Sequence, residues 1–391
     1  MGGRKVPKGD QDGGVLDSAR AIAKEIIEPR SAEWDHEAAW PEPAIRALQS
    51  EGLGGLVVPR KYGGCGQGML ALVQVCEILG RADASTALCF GMHSVATACL
   101  VAKATAGHEE EFLRPIARGE HWTTLALSEP GTGSHFYLPE TRMSARDGAY
   151  TLRGAKSFVT SGGHADSYVV SAVADDDSRP GHFSMLMVPA EAAAGRWREP
   201  WNGWGMRANS SISLSLDGVS VPVGNRLGEE GDQIWYVFNV VAPYFLLAMA
   251  GTYLGIAARA IEEARTHLRR RTYSHSGGSL AEVDILQHRL GSTWAMAERS
   301  RRLCYWAAEE AGRQGPDALQ ALCVAKAEVG HAAVNVVNEC MTLTGGAGYR
   351  EGSVLHKLLR DARAAHVMSP TTDILYTWAG RALLDLPLLG G

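Results

Sequence analysis

The hydrophobic spacing of this 391-residue chain changes period twice, from helical to alternating and back to helical. That order is the strongest constraint on its fold. An apolar residue every three to four positions is buried by a helix, whereas a two-residue alternation is buried by a strand. Leu72, Val75, Cys76 and Leu79 recur at i, i+3, i+4 and i+7. Pro41 and Pro43 fit a helix start, and Gly52 fits the end of that helix. The stretch 84–104 is apolar and rich in small residues, as suits a buried helix. From residue 121 the runs become short and β-branched or aromatic, at 122–127, 149–153, 157–160, 168–173 and 182–188. Pro130-Gly131, Asp147-Gly148 and Ser161-Gly162-Gly163 separate them as turns. Ser211, Ser213 and Ser215 alternate with Ile212, Leu214 and Leu216, a strand with one wet face. Helical spacing then returns, with long helices expected at 246–264, 286–311 and 318–343. The expected organisation is α+β and mainly α: a disordered leader at 1–13, an N-terminal helical domain at 14–120, a middle β domain at 121–230 and a C-terminal helical bundle at 231–391.

Composition narrows the function classes. Hydrophobic residues at 46% and charged residues at 21% are those of a globular protein with a large core. A net charge of −5 gives no reason to expect nucleic acid or an acidic lipid surface as partner. No stretch approaches the roughly 20 uncharged apolar residues that span a bilayer. The polar first twelve residues lack the apolar core of a signal peptide, so a cytoplasmic location is expected. The seven cysteines are scattered without a CxxC pair, which points to reduced structural thiols and to no metal site.

Several motifs carry chemistry. Leu127-Ser128-Glu129-Pro130-Gly131-Thr132-Gly133-Ser134 resembles the T-E-P-x-x-G-S of the acyl-CoA dehydrogenase family. The 154–162 segment, from Gly154-Ala155-Lys156 to Thr160-Ser161-Gly162, resembles its G-x-K-x-W-I-T-N-G. Gly203-Trp204-Gly205-Met206-Arg207, Val219-Ser220-Val221-Pro222, Gly345-Gly346-Ala347-Gly348-Tyr349 and Arg360-Asp361 resemble its remaining signatures, in order and spread over residues 15–388. The resemblance implies a helical domain, an antiparallel β-barrel-like domain and a four-helix bundle, assembled as a homodimer or homotetramer. It also implies FAD as cofactor and an acyl thioester, on CoA or an acyl carrier protein, as substrate.

The resemblance places Leu127 and Ser128 on the flavin pyrimidine side, and Gly133 and Ser134 where the thioester arm passes. Phe158 and Thr160 stand at the family's flavin-covering aromatic and the hydroxyl near N5. Arg270 and Tyr273 match the pyrophosphate-binding R-x-x-F pattern, with Ser274 replacing its glycine. Thr342 replaces a glutamine just before Gly345 and Gly346, which the family presents to FAD from a neighbouring subunit. Thr371 and Asp373 belong to the flavin-side context after Arg360-Asp361.

In the family a glutamate in this last context removes the α-proton while the β-hydride passes to the flavin. Counting without a gap from Arg360, its position holds Ser369. The alternative base position, on the helix opening the C-terminal domain, holds Phe245, followed by Leu246. Substitute candidates are His135, at a family aspartate position, and Tyr244, with His93 and Asp373 as more distant ones. Three functions compete: α,β-dehydrogenation of an acyl thioester with an unassigned base; flavin monooxygenation on the same fold, where relatives dispense with the glutamate; and a non-desaturating or pseudo-enzyme subunit.

Overall fold

The computed structural model describes residues 11–176, 182–231 and 233–389. Residues 1–10 of the expected leader lie outside this range, and α1 (Gln11–Ile22) already includes its last three positions. The helical region continues with α2 (Ser31–Glu37), α3 (Glu42–Ser50), α4 (Met69–Ala82) and α5 (Ala84–Ala102). Asp83 separates the last two. It ends α4 in an extended conformation and caps α5, accepting hydrogen bonds from Thr86 N at 2.7 Å and Thr86 Oγ1 at 2.8 Å. Leu72, Val75, Cys76 and Leu79 are all fully buried, as their spacing requires.

The middle region holds β1 (Thr123–Ala126), β2 (Arg142–Arg146), β3 (Ala149–Arg153), β4 (Ala155–Val159), β5 (Ser167–Ala174), β6 (Ser184–Pro189), β7 (Ile212–Ser215), β8 (Val219–Pro222) and β9 (Arg226–Leu227). One sheet runs β8-β3-β2-β5-β6-β9 with β1 added to β5, and β4 pairs with β7 separately. β5 runs parallel to both β1 and β2, so the sheet is not purely antiparallel. β2 shows no apolar run in sequence because two of its five residues are arginines. Backbone pairing with β3 and β5 defines it instead.

Beyond the sheet lie α6 (Ala242–Arg270), α7 (Asp284–Gly312), α8 (Ala318–Thr344), α9 (Val354–Val367) and α10 (Thr372–Leu383). Pro243 has no N–H to give near the start of α6, and the turn before it, Val237–Val241, is opened to π spacing. α4 crosses α6 so closely that a Cβ on Gly251 would lie 2.5 Å from the Val73 carbonyl oxygen. The sequence expectation on apolar length needs correction. Ala84–Ala102 and the continuous Val237–Arg270 are each long and apolar enough to cross a membrane. In both, 94% of the apolar window is buried inside the protein, which makes them core helices. Small residues such as Ala, Ser, Thr and Gly let α5 bury nearly its whole circumference, so it lacks the polar stripe of a surface helix.

His93 joins the first two regions. It is fully buried on α5, within 3.1 Å of the Thr123 carbonyl and 2.8 Å of the Gly54 carbonyl, and stacked on Trp122 at 3.8 Å. Burial pushes its imidazole down to about 4. It is a satisfied core histidine and does not line the cavity described next.

Candidate active site

A cavity of about 770 Å³ opens where the end of β1, the bulged strand β4, the 201–211 loop, α5, the start of α6 and the α9–α10 connection converge. Its first wall is the turn after β1. Glu129 is buried there, with its carboxylate accepting the backbone N–H of Glu140 (2.5 Å) and Thr141 (3.1 Å). The fully buried Lys156 of β4 completes the arrangement, its Nζ 2.5 Å from Glu129 Oε1 and 2.9 Å from Ser171 Oγ. Burial alone would raise the Glu129 carboxyl, but the Lys156 ammonium and the N–H donors outweigh it and hold it below its ordinary range. Ser157 N–H donates to Ser128 O at 2.8 Å and fastens the same two segments again. The Glu of the first motif and the Lys of the second are thus two halves of one internal ion pair.

β4 then breaks its alternation. Its register against β7 shifts between Lys156 and Val159, and Phe158 takes a left-handed φ of 54°. Such a φ is uncommon for a bulky side chain. The bulge turns the Phe158 ring out of the strand's buried face into the cavity, where it is 65% exposed and edge-on to Trp201. Thr160 follows, buried, with its Oγ1 3.0 Å from Ser211 Oγ.

The second wall is Trp204-Gly205-Met206, held against α9. Arg360 Nη1 donates to Trp204 O at 2.8 Å and pairs with Asp35 of α2. Asp361 accepts the Met206 N–H at 2.6 Å and the Lys357 ammonium at 2.7 Å, and Lys357 also donates to Asp83 at 2.9 Å. Arg360-Asp361 therefore builds the wall and is consumed by its own partners. At Gly205 an added Cβ would sit 2.3 Å from Arg360 O. Gly205→Ala is expected to cost about 1–3 kcal/mol by overpacking, measured as a lowered urea midpoint together with a change in tryptophan fluorescence.

The third wall is the α9–α10 connection, Met368-Ser369-Pro370, where Ser369 Oγ donates to Ser134 O at 2.8 Å. Of the residues singled out in sequence, Leu127, Ser128, Gly133, Ser134, Phe158, Thr160 and Ser369 line this one cavity. His135 and Tyr244 do not. His135 is exposed, edge-on to Tyr137, and Tyr244 is half-buried, with its phenol raised by burial and by Cys99 nearby. Thr371 and Asp373 open α10 just past the wall. Arg270, Tyr273, Thr342, Gly345 and Gly346 are exposed and lie off the cavity. Lys156 and Trp204 stand inside the quoted motifs but were given no role, and Trp201 and Arg363 were missed. Lys156 had a further signal, since a lysine inside an apolar strand segment requires a buried partner.

Glu129 is the one carboxylate among the described residues lining the cavity, and it is already engaged. The inner wall is apolar, formed by Leu88, Met92, Leu125, Phe136, Val241 and Phe245.

Family models for the acyl-CoA dehydrogenase N-terminal, middle and C-terminal domains match residues 10–120, 124–219 and 243–384. The chain belongs to the acyl-CoA dehydrogenase family. It is 28% identical over 365 residues to a probable acyl-CoA dehydrogenase of Mycobacterium tuberculosis, covering 93% of each chain. It is 29% identical over 372 residues to the cyclohex-1-ene-1-carbonyl-CoA dehydrogenase of Geobacter metallireducens, covering 95% of this chain and 97% of that one. The structure of butyryl-CoA dehydrogenase from Megasphaera elsdenii superposes with a TM-score of 0.89 at 26% identity, covering 97% and 100% of the two chains.

Members of the acyl-CoA dehydrogenase family are FAD-dependent oxidoreductases acting on acyl thioesters. The cavity of this member suits a flat, polar-edged ring. Phe158 and Trp204 are 65% and 63% exposed on its wall, and Ser128 and Thr160 line the same cavity. At Gly133 a built Cβ meets nothing within 4 Å, so the turn leaves open space on the cavity side.

Proposed function

We propose that this protein dehydrogenates an acyl thioester whose acyl part is apolar, with FAD held by Leu127, Ser128, Phe158 and Thr160. The inner wall carries the reading, because it offers an acyl chain only hydrocarbon and thioether surface. A charged or hydrogen-bonding acyl substituent would lose its water there without a partner. Bound FAD supplies the two-electron acceptor. The chain's own part is to exclude water, orient the acyl group and hold the Gly133–Ser134 turn against Ser369. Leu246 and Leu247, beside the family's alternative base position, are 1% and 0% exposed, so they belong to the core and leave thioester recognition to other surfaces.

The same cavity favours flavin monooxygenation as a second reading, since its carboxylate is locked and Ser369 is a hydroxyl too weak to act alone as base. The visible spectrum of the purified protein, recorded anaerobically with CoA and carrier-protein thioesters, separates the two. Bleaching by an apolar thioester supports dehydrogenation. Bleaching by none, with product only when reduced flavin and oxygen are both present, supports monooxygenation. Absence of flavin uptake would overturn both.

The exposed Arg270, Tyr273, Thr342, Gly345 and Gly346 fit a second role in this reading, which is to reach the FAD of a neighbouring subunit in a homodimer or homotetramer. Arg270→Ala is then expected to weaken FAD binding by at least about tenfold, the worth of one charge-assisted phosphate contact. Flavin content unchanged after gel filtration would remove Arg270 from the site.

A further inference from the structure

Lys326 lies in the middle of α8 and is fully buried. An ammonium has three donors, and all three are used. Its Nζ donates to Ala365 O at 2.8 Å, to Met368 O at 3.1 Å and to Pro370 O at 2.9 Å. The first two acceptors belong to the last turn of α9 and its C-cap, where carbonyls have no partner within the helix and carry its negative dipole end. The third lies beyond Ser369. No carboxylate is paired with Lys326 among the described residues, and burial pushes its ammonium down to about 7. A methionine of similar length would fill the same space without that desolvation cost. The lysine is there for its donors.

What those donors hold is the third wall of the cavity. Met368, Ser369 and Pro370 all line it, whereas Lys326 stands one layer behind. The turn is fastened on its outer side by Lys326 and on its inner side by Ser369 Oγ on Ser134 O. Loosening the outer fastening frees the inner one, and with it the Gly133–Ser134 turn.

We propose that Lys326 is a positioning residue that fixes the Met368–Pro370 turn and so sets the place of Ser369 against Ser134. Its bearing on FAD rests on the cavity being the flavin site, as proposed above. Its bearing on the turn does not, and the test keeps the two apart. Backbone hydrogen exchange is followed by mass spectrometry in the wild type, Lys326→Met and Lys326→Arg, alongside the absorption spectrum of bound FAD. In Lys326→Met, amides at 369, 371–373 and 134–136 are expected to exchange about tenfold faster, while amides of α4 and β5 keep their rates. The resolved shoulders of the bound-flavin spectrum are expected to blur. Lys326→Arg, which keeps the charge and the donors, is expected to restore both. Unchanged exchange in the two segments, or uniform acceleration through the whole protein, would overturn the proposal. So would failure of both variants to fold, which would assign Lys326 to global stability. Faster local exchange in a protein that takes up no FAD would support the positioning role and reject the flavin reading alone.

Discussion

Lys156→Met is expected to destabilise the protein by about 3–5 kcal/mol, the usual consequence of stripping one partner from a fully buried ion pair. Lys156 is 0% exposed and Glu129 is 5% exposed, so the carboxylate is left largely desolvated once the ammonium is gone. The backbone N–H groups of Glu140 and Thr141 still donate to it, but they do not neutralise a full charge. The urea midpoint measures the loss. The double variant Glu129→Gln/Lys156→Met is expected to recover most of it, because a neutral amide can accept the same N–H bonds without the desolvation cost. If the double variant is as unstable as the single one, packing and not charge is the cause. The pH dependence follows from the direction of the Glu129 shift. Its carboxyl is held below its ordinary value of 4.5, and burial pushes the Lys156 ammonium down to about 8, so the pair's contribution is complete only between those two values. It is lost as pH falls further through the lower folded value. The Lys156→Met variant should lack this acid-side slope. FAD uptake is expected to suffer in the same variant, since the pair anchors the turn that carries Leu127, Ser128 and Gly133.

The ion pair also shows what was legible in the chain. Helix, sheet and helix were readable because burial imposes period 3.6 or 2 wherever one face meets the core. The fully buried Leu72, Val75, Cys76 and Leu79 are the plain case. β2 was not readable, because its arginines are tolerated by exposed positions and leave no apolar run, although the Asp147-Gly148 turn joins it to β3 and only its other side pairs with the distant β5. Phe158 was found by resemblance but for an incomplete reason. Simple alternation would put it on the same face as Lys156, and only the bulge with its positive φ turns it to the cavity. Arg360-Asp361 drew attention as a marker for counting forward to Ser369. Its own role, holding Trp204 and Met206, depends on residues 156 and 155 positions away in sequence and leaves no local pattern. His135 and Tyr244 were chosen for proximity in sequence to family positions. The backbone directs neither into the cavity.

Ser369→Glu is expected to raise the anaerobic bleaching rate of bound FAD by an apolar acyl thioester by at least about 10²-fold, the scale of one well-placed general base. Ser369 lines the cavity and spends its hydroxyl on the Ser134 carbonyl at 2.8 Å. A carboxylate cannot donate to that carbonyl and is repelled by it, which turns the new group toward the cavity. There it meets two opposing influences. The apolar Met92, Phe245 and Met368 disfavour its charge and lift its pKa toward neutrality, as a base taking a carbon-bound proton requires. Arg363, the exposed guanidinium of the same wall, limits that rise and keeps a working fraction ionised. The control is Ser369→Gln, equal in size and unable to take a proton, which should bleach no faster than the wild type. If Glu and Gln variants behave alike, shape and not basicity governs position 369. If the wild type already bleaches as fast as Ser369→Glu, the native base lies elsewhere in the protein, and the serine is no vacancy at all.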